Sequence, residues 1–157
     1  MKSLRLIIFA GVVMAVLAIG CRGVSSDYSE FRELPERGWA YGDTVSIADR
    51  TADSLPGERE MTVAVVHSNT YPYSNLWLEL TYADAAGRQY RDTVEMTLAD
   101  DYGHWLGNGI GERYQSERTV RAGVNLPQRS DVKIRHVMRV DTLRGIEKIG
   151  LTIRKAR

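Results

Sequence analysis

A chain of 157 residues with 43% apolar and 26% charged side chains has the make-up of one folded domain and excludes wholesale disorder. Its 21 basic and 20 acidic residues give a net charge of +1, without the clustered positive charge that displaces counterions from a nucleic acid. One cysteine excludes an internal disulfide framework, and three histidines, none at ligand spacing, leave no basis for a metal centre or other cofactor.

The chain opens with Lys2 and Arg5, then runs from Leu6 to Ile19 without a charge. That stretch is short for a membrane span, which needs about 20 apolar residues, and right for a signal-peptide core. It ends in Leu17-Ala18-Ile19-Gly20-Cys21, small residues before a cysteine that resemble the bacterial lipobox. In that scheme residues 1–20 are a lipoprotein signal peptide. The thiol of Cys21 takes a diacylglyceryl group, cleavage follows Gly20, and the new amine takes a fatty acid such as palmitate. The competing reading is an N-terminal membrane helix with an incidental cysteine. Two or three acyl chains, at about 0.8 kcal/mol per buried CH₂, anchor a domain stably where one does not. Loss of Lys2 and Arg5 from the 21 basic residues, against 20 acidic ones, turns the net charge from +1 to −1. Residues 21–37 are polar and read as a lipidated tether, followed by a folded domain over 38–157. No dense acidic run follows Cys21, which favours the outer membrane's periplasmic face over the cell surface.

From Trp39 onward the apolar residues alternate with period two. Trp39, Tyr41, Val45 and Ile47 share one parity, as do Met61, Val63 and Val65. Leu76, Leu78, Leu80 and Tyr82 alternate with Trp77, Glu79 and Thr81, and Val94, Met96 and Leu98 with Thr93, Glu95 and Thr97. Val132, Ile134, His136, Met138 and Val140 form the next set, and Leu151 and Ile153 the last. Side chains two apart share a strand face, so each segment is a strand with one buried side. Leu78 and Ile134 fall mid-strand on that side. Ala86-Gly87 reads as a hairpin turn, and Asp141–Lys148 as at most a short helical turn. Seven or eight short strands without a long helical segment predict an all-β fold, an antiparallel, jelly-roll-like β-sandwich, with a closed barrel as competitor.

No catalytic constellation emerges, and the chain reads as not an enzyme. The glycine-rich GHWLGNGIG (Gly103–Gly111) lacks the following helix and lysine of a phosphate loop, and reads as a loop of positive-φ positions. Asp100-Asp101 reads as a turn former. His136 lies on the buried parity and reads as hydrogen-bonded core. His67 and His104 lie near strand ends or loops and read as surface. The aromatics Tyr71, Tyr73, Trp77 and Trp105 are the candidate partner-binding residues, because large aromatics concentrate at interfaces. The alternative is that Trp77 packs under the tether or a neighbouring loop and Tyr71-Pro72 fixes a turn.

Three stretches together resemble one family: YPYSNLWLELTY (Tyr71–Tyr82), DTVEMTLADDYGHWLGNGIG (Asp92–Gly111) and HVMRVDTLRGIEKIGLTI (His136–Ile153). They resemble the gliding-motility lipoprotein GldH family of the Bacteroidetes, and the lipobox and the Trp39-x-x-x-Asp43 pair fit it too. The resemblance implies an envelope lipoprotein held to a membrane through Cys21. It also implies association with gliding machinery tied to type IX secretion, partners that are other envelope proteins, and no enzymatic activity. The second reading is a carbohydrate- or peptidoglycan-binding module of the envelope.

Overall fold

The computed structural model describes residues 28–48, 58–127 and 130–156. The expected signal peptide, Cys21 and residues 22–27 of the expected tether lie outside the described residues.

The described residues are all β. The strands are β1 (Tyr28–Glu33), β2 (Trp39–Ala40), β3 (Val45–Ala48), β4 (Arg59–Ser68), β5 (Asn75–Ala83) and β6 (Gln89–Thr97). They continue with β7 (Asn108–Ile110), β8 (Arg113–Val124), β9 (Asp131–His136), β10 (Thr142–Leu143) and β11 (Ile146–Lys155). One sheet has the order β1-β11-β4-β8-β7, the other β3-β9-β5-β6, and β10-β2 makes a small ribbon. Every pair is antiparallel. The two larger sheets pack face to face as a sandwich, whose open edges exclude the closed barrel.

The alternation read from the sequence sets the inner faces. Leu76, Leu78, Leu80 and Tyr82 of β5 meet Met61, Val63 and Val65 of β4 in one core cluster, joined by Met96, Ile134, Ile149 and Leu151. Each fully buried side chain of this kind stabilises the fold by about 1.5–3 kcal/mol relative to exposure. Trp39 is fully buried, and its indole donates to the main-chain carbonyl of Asp43 at 3.0 Å. The Trp39–Asp43 spacing therefore closes a turn through the backbone, not the carboxylate. The β5–β6 hairpin turns at Ala86-Gly87, where Gly87 has φ +79° and Asp84 Oδ1 accepts from the amides of Ala86 and Arg88.

Three expectations are corrected. The sequence reads as a tether as far as Arg37, but Tyr28–Glu33 is a strand paired in register with β11, from Tyr28↔Ile153 to Glu33↔Lys148. The described fold therefore reaches back at least to Tyr28, ahead of the expected boundary at residue 38. YSEFRE buries no side chain fully, so backbone pairing to β11 recruits it, without an apolar signal. Asp141–Lys148 forms no helical turn. Leu143 pairs with Trp39, Gly145 reverses the chain at φ +86°, and β11 starts at Ile146. His67 is not at the surface: it continues the Met61, Val63, Val65 parity and is fully buried.

Candidate functional site

The aromatic segment before β5 is built from the backbone up. Tyr71 N–H donates to the Ser68 carbonyl at 3.2 Å, and its hydroxyl donates to the Asn75 carbonyl at 2.9 Å. Gly145 passes directly beneath: a Cβ there would lie 2.8 Å from Tyr71 Cα. Tyr71 is thus clamped, with 3% of its surface exposed. It is an anchor of the fold and does not line the surface, against the expectation that it touches a partner. Burial raises its hydroxyl well above the usual tyrosine range, so it stays a protonated donor.

Around Tyr71 the rings close into a cluster. The His67 ring lies 4.7 Å from Trp105, 5.7 Å from Tyr71 and 5.7 Å from Tyr114, with which it stacks. Trp105 is half-buried in this cluster, 6.5 Å from Tyr71 and 6.0 Å from Tyr114. Its loop is pinned on both sides. Asp100 Oδ1 accepts from the amides of Tyr102 and His104, and Leu106 N–H donates to the Leu98 carbonyl at 2.7 Å. Gly107, at φ +92°, brings the loop so close to β8 that a Cβ would lie 2.3 Å from the Gln115 carbonyl oxygen. The glycine-rich loop is a packed cover over His67. Burial lowers the His67 pKa, so the ring is neutral, and Nδ1 carries the proton donated to the Ser68 carbonyl. His136 is also neutral and buried. Its Nε2 donates to the Trp39 carbonyl at 3.1 Å between the rings of Trp39 and Tyr41.

Trp77 sits apart from that cluster. It points outward from β5, opposite Glu95 on β6, with 39% of its surface exposed. Beyond His136 the chain leaves β9 and runs beside β5. Val137 N–H donates to the Trp77 carbonyl at 2.9 Å, and Met138 Sδ accepts from Trp77 N–H at 3.4 Å. Between them lies a half-open groove of about 600 Å³, lined by Tyr73, Asn75, Trp77 and Val137–Val140. Of the four aromatics, the structure brings Tyr73 and Trp77 to one groove. It places Tyr71 and Trp105 in the cluster behind it, and the edge contact of Tyr71 with Tyr73, at 5.6 Å, joins the two. Met138 and Val140 are groove walls the sequence pattern does not reveal, since they share the strand parity of Ile134 although the strand ends at His136. The burial of His67, read as surface from its place near a strand end, had one sequence signal, its parity with Met61, Val63 and Val65.

The outer sheet face beside the groove is charged but largely neutralised. Arg135 Nε donates to Glu79 Oε1 at 2.8 Å, which holds that carboxyl below its usual range. Asn75 donates to Glu95 at 2.7 Å. A second network ties the two sheets together. Arg121 of β8 makes a bidentate pair with Asp92 of β6 at 2.6 and 2.9 Å, and the Tyr82 hydroxyl donates to the same carboxylate at 2.6 Å. The Arg121 guanidinium lies 4.9 Å from the Tyr90 ring centroid. The Arg121 hydrogen bonds hold the Asp92 pKa down. These pairs fasten the structure, whereas most of the side chains that line the groove are apolar.

The model of a family described as GldH lipoprotein matches residues 26–153. The chain is 26% identical over 138 residues to a protein of Christiangramia forsetii named gliding motility lipoprotein GldH homolog, covering 82% of this chain and 83% of that one. It is 28% identical over 93 residues to the gliding motility lipoprotein GldH of Flavobacterium johnsoniae, covering 55% and 58%. Among solved structures, the coat protein of Tobacco streak virus is similar over 87% of this chain and 91% of that one. At 10% identity and a TM-score of 0.31, that likeness carries no argument.

Proposed function

This chain belongs to the GldH lipoprotein family, and from that premise we propose a non-catalytic envelope lipoprotein that acts through protein contacts in, or accessory to, the gliding-motility and type IX secretion machinery. The family match across residues 26–153 carries the reading. The anchor is acyl chains on Cys21, and the location is the outer membrane, facing the periplasm. The structure supports a binding role by leaving Trp77 exposed beside Tyr73, where an indole gains much contact area for little lost rotamer freedom. The exposed Trp77 also favours a second reading, a glycan-binding module, since sugars stack on such rings.

A Flavobacterium johnsoniae strain lacking its own GldH, complemented with this chain, tests the first reading. The wild-type chain restores spreading and secretion, and Cys21→Ser does not. Crosslinking in the native envelope captures motility or secretion proteins. Restoration by both forms overturns the anchored reading. Retention of the purified full chain on peptidoglycan, without any crosslinked protein, favours the glycan reading.

A further inference from the structure

We propose that the groove between Trp77 and Met138 binds an extended segment of a partner protein that presents a bulky apolar side chain next to an acidic residue. This inference rests on the reading that the chain works through protein contacts, and it names the chemistry of the contact.

Three observations select that occupant. The floor is apolar: Tyr73, Trp77, Val137, Met138 and Val140 line the groove, and its volume of about 600 Å³ exceeds that of one large side chain. Asn75 is held by Glu95, and Met138 Sδ already accepts from Trp77.

The rim offers one open cation, across the groove from Glu95, whose carboxylate is held by Asn75. Arg139 is exposed and, among the described residues, has no ion pair, in contrast to Arg121 and Arg135, which are both engaged by carboxylates. A guanidinium beside an apolar floor complements a carboxylate that follows an apolar side chain.

The wall is unpaired backbone. After Val137, the main-chain N–H groups of Met138, Arg139 and Val140 donate no hydrogen bond among the described residues. Unpaired donors of this kind can be met by the main-chain carbonyls of an extended segment, at alternate residues, while its side chains enter the pocket.

Random nonapeptides displayed on phage and panned on the full chain in detergent test this. The expected winners carry Phe, Leu, Met or Trp beside Asp or Glu, and they are not enriched on Trp77→Ala. A winning peptide, labelled and followed by fluorescence anisotropy, loses about tenfold in affinity with Trp77→Ala and about tenfold with Arg139→Glu. Salt weakens its binding to the wild type and not to Arg139→Glu. Amide resonances of Met138–Val140 and the Trp77 indole shift on binding. No enrichment, winners without acidic residues, or affinity indifferent to both substitutions overturns the proposal. So do the same shifts produced by soluble peptidoglycan fragments, or by raising the concentration of the chain alone. The Cys21→Ser complementation does not involve the groove, so failure there and failure here are separate results.

Discussion

The ring of Phe31 packs over Gly150, its direct partner across the β1–β11 pair: a Cβ on Gly150 would lie 2.6 Å from the ring. Glycine weakens a strand interior by offering no side chain to pack, and an aromatic ring from the neighbouring strand restores that contact. The pair explains why β1 holds its place although none of its side chains is fully buried.

Either half of this pair is therefore critical for β1 and marginal for the core. Phe31→Ala costs about 1 kcal/mol, well below a core deletion because the ring is partly exposed. Gly150→Val displaces the ring with a similar cost. Urea denaturation gives the magnitude. Amide exchange of Tyr28–Glu33 accelerates in both variants, while that of Met61–Val65 is unchanged below the global unfolding limit.

The two outlying tryptophans separate in stability. Trp105→Ala removes a ring packed on His67, Tyr71 and Tyr114 and costs about 3 kcal/mol. Trp77→Ala leaves no internal cavity and costs less than about 1 kcal/mol. Equal melting temperatures for the two variants contradict this division.

Acid weakens the fold before the carboxylates titrate. Burial lowers the pKa of His67 and His136 below the ordinary 6.5. Below that value the unfolded chain takes up protons that the native one refuses, so stability is full above it and falls as the pH drops. The slope is about 1.4 kcal/mol per pH unit for each ring while the native form stays neutral. Denaturation midpoints measured from pH 7 to pH 5 show the decline, and His67→Phe removes one ring's share. A flat profile in the wild type contradicts it.

Arg121 and Asp92 fasten β8 to β6. Arg121→Gln costs about 1 kcal/mol, the upper end for an ion pair still partly in water. A double-mutant cycle with Asp92→Asn recovers a coupling of that order. Arg121→Lys retains the charge but loses the bidentate fork and the stacking on Tyr90, so it falls between.

How much was legible followed from burial. β5 was read in full because Leu76, Leu78, Leu80 and Tyr82 face the core while Trp77, Glu79 and Thr81 do not. β8, with the sequence RYQSERTVRAGV, carries no such pattern. Only Ser116 and Val124 are buried, so backbone pairing with β4 defines it rather than a hydrophobic face. β4 is buried on both sides over Met61–Val65, which blurs the alternation but keeps the apolar run. At the site, the outward position of Trp77 was legible from parity. The burial of Tyr71 was not, because it depends on Gly145, seventy-four residues away in sequence, whose missing side chain lets the two backbones meet: a Cβ there would lie 2.8 Å from Tyr71 Cα.

The register of β1 also decides how the domain carries load. Tyr28 lies seven residues beyond Cys21, a contour of at most about 25 Å. On the proposed reading, with acyl chains on Cys21 and a partner at Trp77, traction between the two would enter the sandwich at Tyr28 and cross to β11 through six residue pairs. Force along the strand shears those pairs together, and force across it opens them one at a time from Ile153. The ring of Phe31 on Gly150 stands at the fourth pair, so peeling that starts at the anchor stalls there. On that reading the edge strand would act as a mechanical fuse, yielding ahead of the core and leaving the β4–β5 faces intact.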